Sequence, residues 1–329
     1  SLMKKTLKLL ESILLQDSTS GHERALGEWL LDNLDAPHKT LMEVGDGTVN
    51  LLLSWGTPKL VYCTHMDTVP PYIPPVFDEH CVRGRGSCDA KGQLVALYAA
   101  CKELERKGKT DFGLLVLSGE ETGSWGAKAF ARTPFKAPYL VIGEPTENHP
   151  VSASKGTKSF AVRFKGKAFH SGYPQYGVSA VDLFVDFVNR LRDKKFPVDE
   201  MLGETTWNIG LLHSDNQQNI LSPELWCRIY FRTTFASDAA VGEWMAAQAC
   251  DSIEIAARGG DSPSLYVVPE GLEGRPVAFG SDAPHLSNFE HKIICGPGSI
   301  TCAHRDDEHL DICDLEEAIA IYVNIFENL

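Results

Sequence analysis

At 329 residues, 43% of them hydrophobic and 23% charged, the chain holds enough apolar material for a sizeable core. At about 100–200 residues per domain it reads as two domains. Its 44 acidic residues against 31 basic ones leave a formal charge of -13, which repels phosphate backbones and anionic lipid and argues against nucleic acid or a membrane as partner.

No run of about 18 apolar residues is present to span a membrane. The first residues lead straight into an amphipathic pattern, without the unbroken apolar stretch of a signal peptide, so a cytoplasmic location is expected. The nine cysteines are scattered, none sits in a C-x-x-C, and most are embedded in apolar runs (Cys63, Cys101, Cys227, Cys250, Cys295). They read as reduced, buried thiols.

From residue 1 to about 155, helical and strand patterns alternate. The spacing predicts helices over Leu7 to Leu15 and Glu23 to Leu34, the second after Ser20-Gly21, and a short apolar strand at Leu60-Val61-Tyr62-Cys63. Gln93 to Lys107 places Leu94, Leu97, Tyr98, Cys101 and Leu104 on one helix face. Phe112 to Leu117 and Tyr139 to Ile142 are apolar runs of buried-strand length. This order argues for an α/β domain with a mostly parallel central sheet.

The middle reads strand (Ser159 to Phe164), helix (Val178 to Leu191), strands (Asn208 to Leu212, Trp226 to Phe231), helix (Ala239 to Cys250) and strand (Ile253 to Ala257). That βαββαβ order is the one of a self-contained α+β ferredoxin-like unit. After about residue 262 the chain returns to the first domain and closes with a helix over Asp314 to Glu327. The predicted organisation is a discontinuous domain, residues 1–156 and 262–329, interrupted by an inserted domain, residues 157–261.

Acids and imidazoles recur at the predicted strand exits. The strand from Leu60 ends in His65-Met66-Asp67; in extended chain residues i and i+2 point the same way, so His65 and Asp67 can converge where open α/β sheets place their sites. Next comes Gly84-Arg85-Gly86-Ser87-Cys88-Asp89-Ala90-Lys91-Gly92. An Asp in that place commonly caps a helix, and the loop lacks phosphate-loop spacing. The strand from Phe112 runs into Ser118-Gly119-Glu120-Glu121-Thr122-Gly123, and Tyr139 to Ile142 into Gly143-Glu144-Pro145-Thr146. Adjacent carboxylates at a buried strand exit repel each other unless a cation sits between them. Finally Gly296-Pro297-Gly298-Ser299 precedes Cys302-Ala303-His304. Together these positions offer the N/O donor set expected for zinc.

The ordered set H-x-D, G-x-G-x-x-D-x-K-G, G-E-E, G-E-P-T and G-P-G-x-x-x-x-A-H-x-x-D-E, spread over the whole chain, resembles the M20 metallopeptidase family. It is most similar to the acetylornithine deacetylase-like branch, beside the aminoacylases, desuccinylases and carboxypeptidases. The resemblance implies a zinc-peptidase catalytic domain, with the inserted domain as lid and homodimer interface. It also implies two Zn²⁺ per subunit, replaceable by Co²⁺. Asp89 would bridge the two ions, His65 and Glu144 would hold one, and Glu121 and His304 the other. Asp67 would orient His65. Glu120 is implied as general base, taking a proton from the attacking water and delivering it to the leaving amine.

In the inserted domain, Gly166-Lys167-Ala168-Phe169-His170-Ser171-Gly172 resembles the segment whose histidine steadies the oxyanion, usually across a dimer. Asn219 and Arg232 match substrate-binding positions, Arg232 facing the substrate's α-carboxylate, although the family's acid two residues earlier is Tyr230 here. Phe279-Gly280-Ser281-Asp282-Ala283 resembles the substrate loop, with Ser281 and Asp282 as contacts. Between Gly260 and Phe279 the chain is shorter than in most members, so the pocket rim is expected to be trimmed.

The expected activity is therefore amide hydrolysis of an N-acyl amino acid, foremost an N-acetyl-ornithine, -lysine or -citrulline-type deacetylation. A dipeptidase, an aminoacylase or a succinyl-diaminopimelate desuccinylase shares the same chemistry. Two other classes stand beside it: a non-catalytic metal-binding relative, and a cysteine-dependent enzyme using Cys88 or Cys302.

Overall fold

In the computed structural model, which describes residues 1–329, the chain divides into two compact units. One is Ser1–Ser152 with Tyr266–Arg275 and Ser281–Leu329; the other is Ala153–Leu265 with Pro276–Gly280. The larger unit begins α1 (Leu2–Leu14), α2 (Arg24–Asn33), β1 (His38–Gly45), β2 (Thr48–Trp55), β3 (Leu60–His65), β4 (Val76–Phe77), β5 (Cys81–Arg83), α3 (Lys91–Arg106), β6 (Phe112–Leu117), α4 (Trp125–Ala131) and β7 (Ala137–Ile142). The chain then passes through β8 (Val151–Ser154) into β9 (Gly156–Lys165), α5 (Ala180–Asp193), β10 (Thr206–His213), β11 (Glu224–Thr233), α6 (Asp238–Ala247) and β12 (Ile253–Ala257). Short β13 (Ser264–Leu265) and β14 (Arg275–Val277) precede β15 (Phe289–Ile294), β16 (His309–Asp311) and α7 (Ile312–Glu327).

The main sheet has the order β1-β2-β6-β3-β7-β15. Strands β6, β3, β7 and the edge strand β15 are mutually parallel. Every residue of β3 and of β6 is buried, which is why these runs are continuously apolar rather than alternating. α3 packs on β3 and β6 with α1 and α7 against it, while α2 and α4 cover β1 and β2. Buried hydroxyls tie this core: Tyr62 Oη donates to Tyr322 O at 2.6 Å, and Tyr322 Oη to Cys295 O at 2.6 Å.

The sheet is mixed rather than mostly parallel at one edge, because β1 and β2 form an antiparallel hairpin on β6. Periodicity does not reveal β1, whose residues are largely exposed. The turn chemistry does: Gly45, Asp46 and Gly47 all have positive φ (125°, 52° and 77°), and Asp-Gly is a strong hairpin signal.

The smaller unit is an antiparallel four-stranded sheet, order β10-β11-β9-β12, with element order β9-α5-β10-β11-α6-β12. β11 alternates buried and exposed along its length. Cys227, Ile229 and Phe231 join Phe187 of α5 and Val241 and Met245 of α6 in one core, while Trp226 and Tyr230 face solvent. The residues assigned to this unit differ from the expected 157–261. They start at Ala153, and Pro276–Gly280 also belongs to it, held where Lys155 N–H donates to Val277 O.

All nine cysteines are free. Cys250 is exposed rather than buried, because α6 ends at Ala247 and Cys250 falls in the turn beyond it. No helix is long and apolar enough to cross a membrane.

Candidate metal centre

The parallel strands deliver their C-terminal ends to one edge of the sheet, and the side chains at those ends meet. His65 closes β3 with no exposure. Its Nδ1 lies 2.9 Å from Asp67 O and 3.2 Å from Asp67 Oδ1. Its Nε2 lies 2.9 Å from Asp89 Oδ1, 3.5 Å from Glu120 Oε2 and 3.6 Å from Glu144 Oε1. His304 points its Nε2 at the other oxygen of the same aspartate, 3.0 Å from Asp89 Oδ2 and 2.9 Å from Glu121 Oε1. One buried carboxylate thus faces two imidazoles, one on each oxygen.

Local structure explains how each group arrives. Asp89 caps no helix: α3 starts after Ala90 without a side-chain cap bond, and the Asp89–Ala90 peptide is cis. Gln93, in the first turn of α3, donates from Nε2 to Cys88 O at 3.0 Å and Pro297 O at 2.7 Å, joining the Asp89 loop to the Gly296-Pro297-Gly298 loop. That second loop needs glycine. A Cβ on Gly296 would lie 2.0 Å from Gln93 Oε1 and 2.5 Å from Glu144 O, so the backbone beside Glu144 could not approach so closely. Glu120 and Glu121 start a 3₁₀ turn after Gly119, whose φ is 70°. His304 itself has φ 64°, a conformation rare for a non-glycine residue.

Asp67 does more than face His65. Its carboxylate accepts from Glu120 N and Glu121 N, both at 3.1 Å, and from Ser20 Oγ at 2.6 Å. Glu23, which sequence reasoning missed, is fully buried and accepts Gly119 N–H at 2.8 Å. Its signal was a glutamate two residues after Ser20-Gly21, in a stretch read only as a helix start.

Electrostatics give the site its character. Burial pushes Glu120 and Glu144 well above the usual carboxyl range, and neighbouring carboxylates push further: Glu144 and Glu121 on Glu120, Asp89 on Glu144. Glu121 is raised to about 7 by burial and by Asp89. Burial opposes a charged His65, yet Glu120, Asp67, Asp89 and Glu144 outweigh it and hold the imidazole well above its ordinary value. His304 is raised to about 10 by its bonds to Asp89 and Glu121. Asp89, although buried, is held far below its usual range by His304 and His65.

Two donor groups, His65–Asp89–Glu121 and His65–Glu120–Glu144, each keep their ligand atoms within 4.8 Å of one another. Imidazole and carboxylate donors at this spacing, carrying excess negative charge, are fitted to hold divalent cations. A cation would remove the like-charge repulsion that otherwise forces protons onto the acids.

The other expected residues lie as follows. Asp282 is buried and hydrogen-bonded to Ser124, with Oδ1 unpartnered and its pKa raised to about 6 by burial. Ser281 Oγ accepts Ala283 N–H. In the smaller unit His170 is exposed, its Nδ1 accepting Gly172 N–H at 3.0 Å. Its segment pairs with that of Asn219 through Ser171 N–H to Asn219 O and a bridge between His170 and Ile220. Arg232 is not beside them. It lies near the far end of β11, roughly 26 Å along extended chain from Glu224 at 3.3 Å per residue, with its guanidinium 5.0 Å from the Tyr230 ring centroid. The aromatic ring that replaces the expected acid therefore offers a cation–π partner.

Cys88 is buried, and burial and Asp89 raise its thiol well above the ordinary range, the reverse of an activated nucleophile. Cys302 Sγ lies 3.5 Å from His309 Nε2, and neither belongs to the donor groups.

The sequence profile described as peptidase family M20/M25/M40 matches residues 61–328. A peptidase M20 domain-containing protein of Schizosaccharomyces pombe is 32% identical, covering 96% of this chain and 82% of its own length. A probable carboxypeptidase of Aspergillus flavus is 31% identical, covering 93% and 85%. Among solved structures, a tripeptidase of Staphylococcus aureus superposes with a TM-score of 0.83 at 21% identity, covering 98% of this chain and 97% of the other, which speaks for the fold. With the profile matched from the central sheet to the last helix, and relatives above 30% identity along nearly its whole length, the chain belongs to peptidase family M20/M25/M40 and is a hydrolase of the metallopeptidase kind.

Proposed function

We propose that this hydrolase holds two divalent cations, Zn²⁺ foremost, and cleaves the amide of an N-acyl amino acid, as an N-acetyl-ornithine, -lysine or -citrulline-type deacetylase. The observation that carries the reading is Asp89 shared between His65 and His304, with Glu120, Glu121 and Glu144 around it. Asp89 would serve both cations, His65 and Glu144 would complete one position, and Glu121 and His304 the other. Bound there, the cations would supply a Lewis acid for the scissile carbonyl and lower the pKa of the attacking water.

The chain's own residues do the rest. Glu120 takes a proton from the water as its oxygen bonds to the carbonyl carbon, then passes that proton to the nitrogen as the C–N bond breaks. Burial among like charges raises its proton affinity, as a base requires. Asp67 orients His65 and, through two amides, the turn bearing Glu120. Arg232 pairs with the substrate's α-carboxylate, while Asn219, Ser281 and Asp282 contact the substrate. His170 steadies the oxyanion, supplied by the second copy of a homodimer formed through the smaller unit. A second reading, hydrolysis of a dipeptide or other short peptide, is favoured by relatives described as a carboxypeptidase and a tripeptidase.

A panel of N-acetyl, N-succinyl and dipeptide substrates, assayed after chelation and with Zn²⁺ or Co²⁺ restored, tests the function. Metal-dependent release of acetate from an N-acetyl amino acid is expected. Turnover of dipeptides alone moves the chain to the second reading, and full activity after exhaustive chelation removes both.

Glu120→Gln is expected to lower kcat by about 10²–10⁴-fold while two metal equivalents remain bound. Loss of an equivalent would instead make Glu120 a ligand.

His170→Ala is expected to lower kcat with little change in KM, and mixing it with Glu120→Gln should restore activity in hybrid dimers. A monomer in sedimentation, or no complementation on mixing, removes the shared-site assignment.

Chelated protein should lose thermal stability as pH rises. His304 is raised to about 10 from 6.5, so its contribution is complete below 6.5 and disappears as pH climbs through 10. Glu121, raised to about 7 from 4.5, favours the folded state when protonated, and that is lost through pH 7. Asp89 and Asp67 are held low and titrate below this window. Tm in chelator should therefore fall between about pH 4.5 and 10, with His304→Ala flattening the upper part. A Tm independent of pH over that range would contradict the electrostatics.

A further inference from the structure

Beneath the Asp89 loop lies a buried ion pair that the proposed chemistry does not use. Glu308 and Arg85 are each 1% exposed, and Arg85 Nη1 donates to Glu308 Oε1 at 2.7 Å. The other carboxylate oxygen, Oε2, accepts three backbone amides, Gly86 N at 3.2 Å, Cys88 N at 3.1 Å and Asp89 N at 2.9 Å. The loop from Gly86 to Asp89 is thus wrapped around one carboxylate, as backbone amides wrap an anion in a nest. Glu308 also accepts Gly84 N–H through its own carbonyl at 3.0 Å.

Arg85 anchors the arrangement from the other side, donating to Pro71 O at 3.1 Å and Arg305 O at 2.9 Å. Arg305 follows His304, so the pair joins the loop carrying Asp89 to the loop carrying His304. Burial raises the Glu308 carboxyl, but the amides and the guanidinium that face it are donors, which the ionised form satisfies on both oxygens.

We infer that Glu308 is a positioning residue, fixing the backbone of Asp89 and the His304 loop so that the Asp89–Glu121–His304 cation position exists. This rests on the two-cation reading. His65 and Glu144 leave strands of the parallel sheet, and His65 is held by Asp67. His304 is half exposed on a loop tied to the Asp89 segment next to it by Arg85, through Arg305 O. Loss of Glu308 therefore weakens the His304 position before the His65 position.

Glu308→Gln is the sharpest probe. The amide is isosteric, but its NH₂ must face either the guanidinium or the three amides, setting donor against donor. Chelated full-length protein is titrated with Co²⁺, following visible absorption and binding heat. Wild type is expected to take up two equivalents. Glu308→Gln should keep one near wild-type affinity and bind the second about 10–100-fold more weakly, the usual cost of losing such a supporting contact, with a changed cobalt spectrum. Both equivalents bound with wild-type affinity and spectrum would overturn the inference while leaving the two-cation reading intact. A wild-type chain taking up fewer than two equivalents would overturn that reading and the inference with it. Should Glu308→Gln not fold, Arg85→Lys keeps the carboxylate and a positive charge but loses the fork to Pro71 and Arg305. It is expected to weaken the same position by a smaller factor, and unchanged binding there overturns the inference equally.

Discussion

The larger unit is organised around a cluster of buried acids that cannot all be ionised in its own interior. Asp89, Glu120, Glu121 and Glu144 converge within reach of His65 and His304, and two carboxylates at 4 Å repel by about 4 kcal/mol at an effective dielectric of 20. A fold does not concentrate such charge without a counter-charge. The two imidazoles meet part of the demand, which is why both are pushed toward protonation while Glu120, Glu121 and Glu144 are pushed the same way. The pair of divalent cations proposed above would meet it more completely, with each histidine then neutral and available as a ligand.

The sheet makes this concentration possible. β3, β6 and β7 are parallel, so their C-terminal ends share an edge, and the residue or turn following each carries an acid or a histidine. A continuously apolar, fully buried strand leaves no slack in where its last residue lies. The precision of the site therefore comes from β3 and β6 more than from the loops. Where loops contribute residues to the site, they are tied down by buried polar groups: Asp67 and Glu23 under the Glu120–Glu121 turn, Gln93 between the Asp89 and Gly296 loops, Arg85 and Glu308 beneath Asp89. None of these supports is itself apolar. Removing any one leaves buried backbone groups without partners, typically a cost of about 1–3 kcal/mol, and loosens a site residue as well.

Much of this was legible in the residues. The buried strands announced themselves as continuous apolar runs, and β6 coincides with its predicted span, as does the mostly unburied β12. The strand-exit acids and the two histidines could be named because each followed such a run or a Gly/Pro-shaped loop. The β1–β2 hairpin escaped because β1 is mostly exposed and lacks alternation, leaving only the Asp46-Gly47 turn to betray it. Cys250 was misplaced because helix ends are set by backbone bonding beyond the reach of hydrophobic spacing.

Taken alone, the sequence determined which chemistries were on offer: imidazoles and carboxylates at strand exits, with a second α+β element between them. Those follow from residue type and local period, which are properties of short stretches. Only the tertiary structure decided that Asp89 faces both His65 and His304 rather than capping α3. It also decided that Glu23 and Glu308 serve as buried supports, and that Arg232 stacks on Tyr230 far from His170. The buried supports are contacts across up to 223 residues of chain, and a distance between groups so remote in sequence is set by how strands and loops pack, which no local pattern encodes.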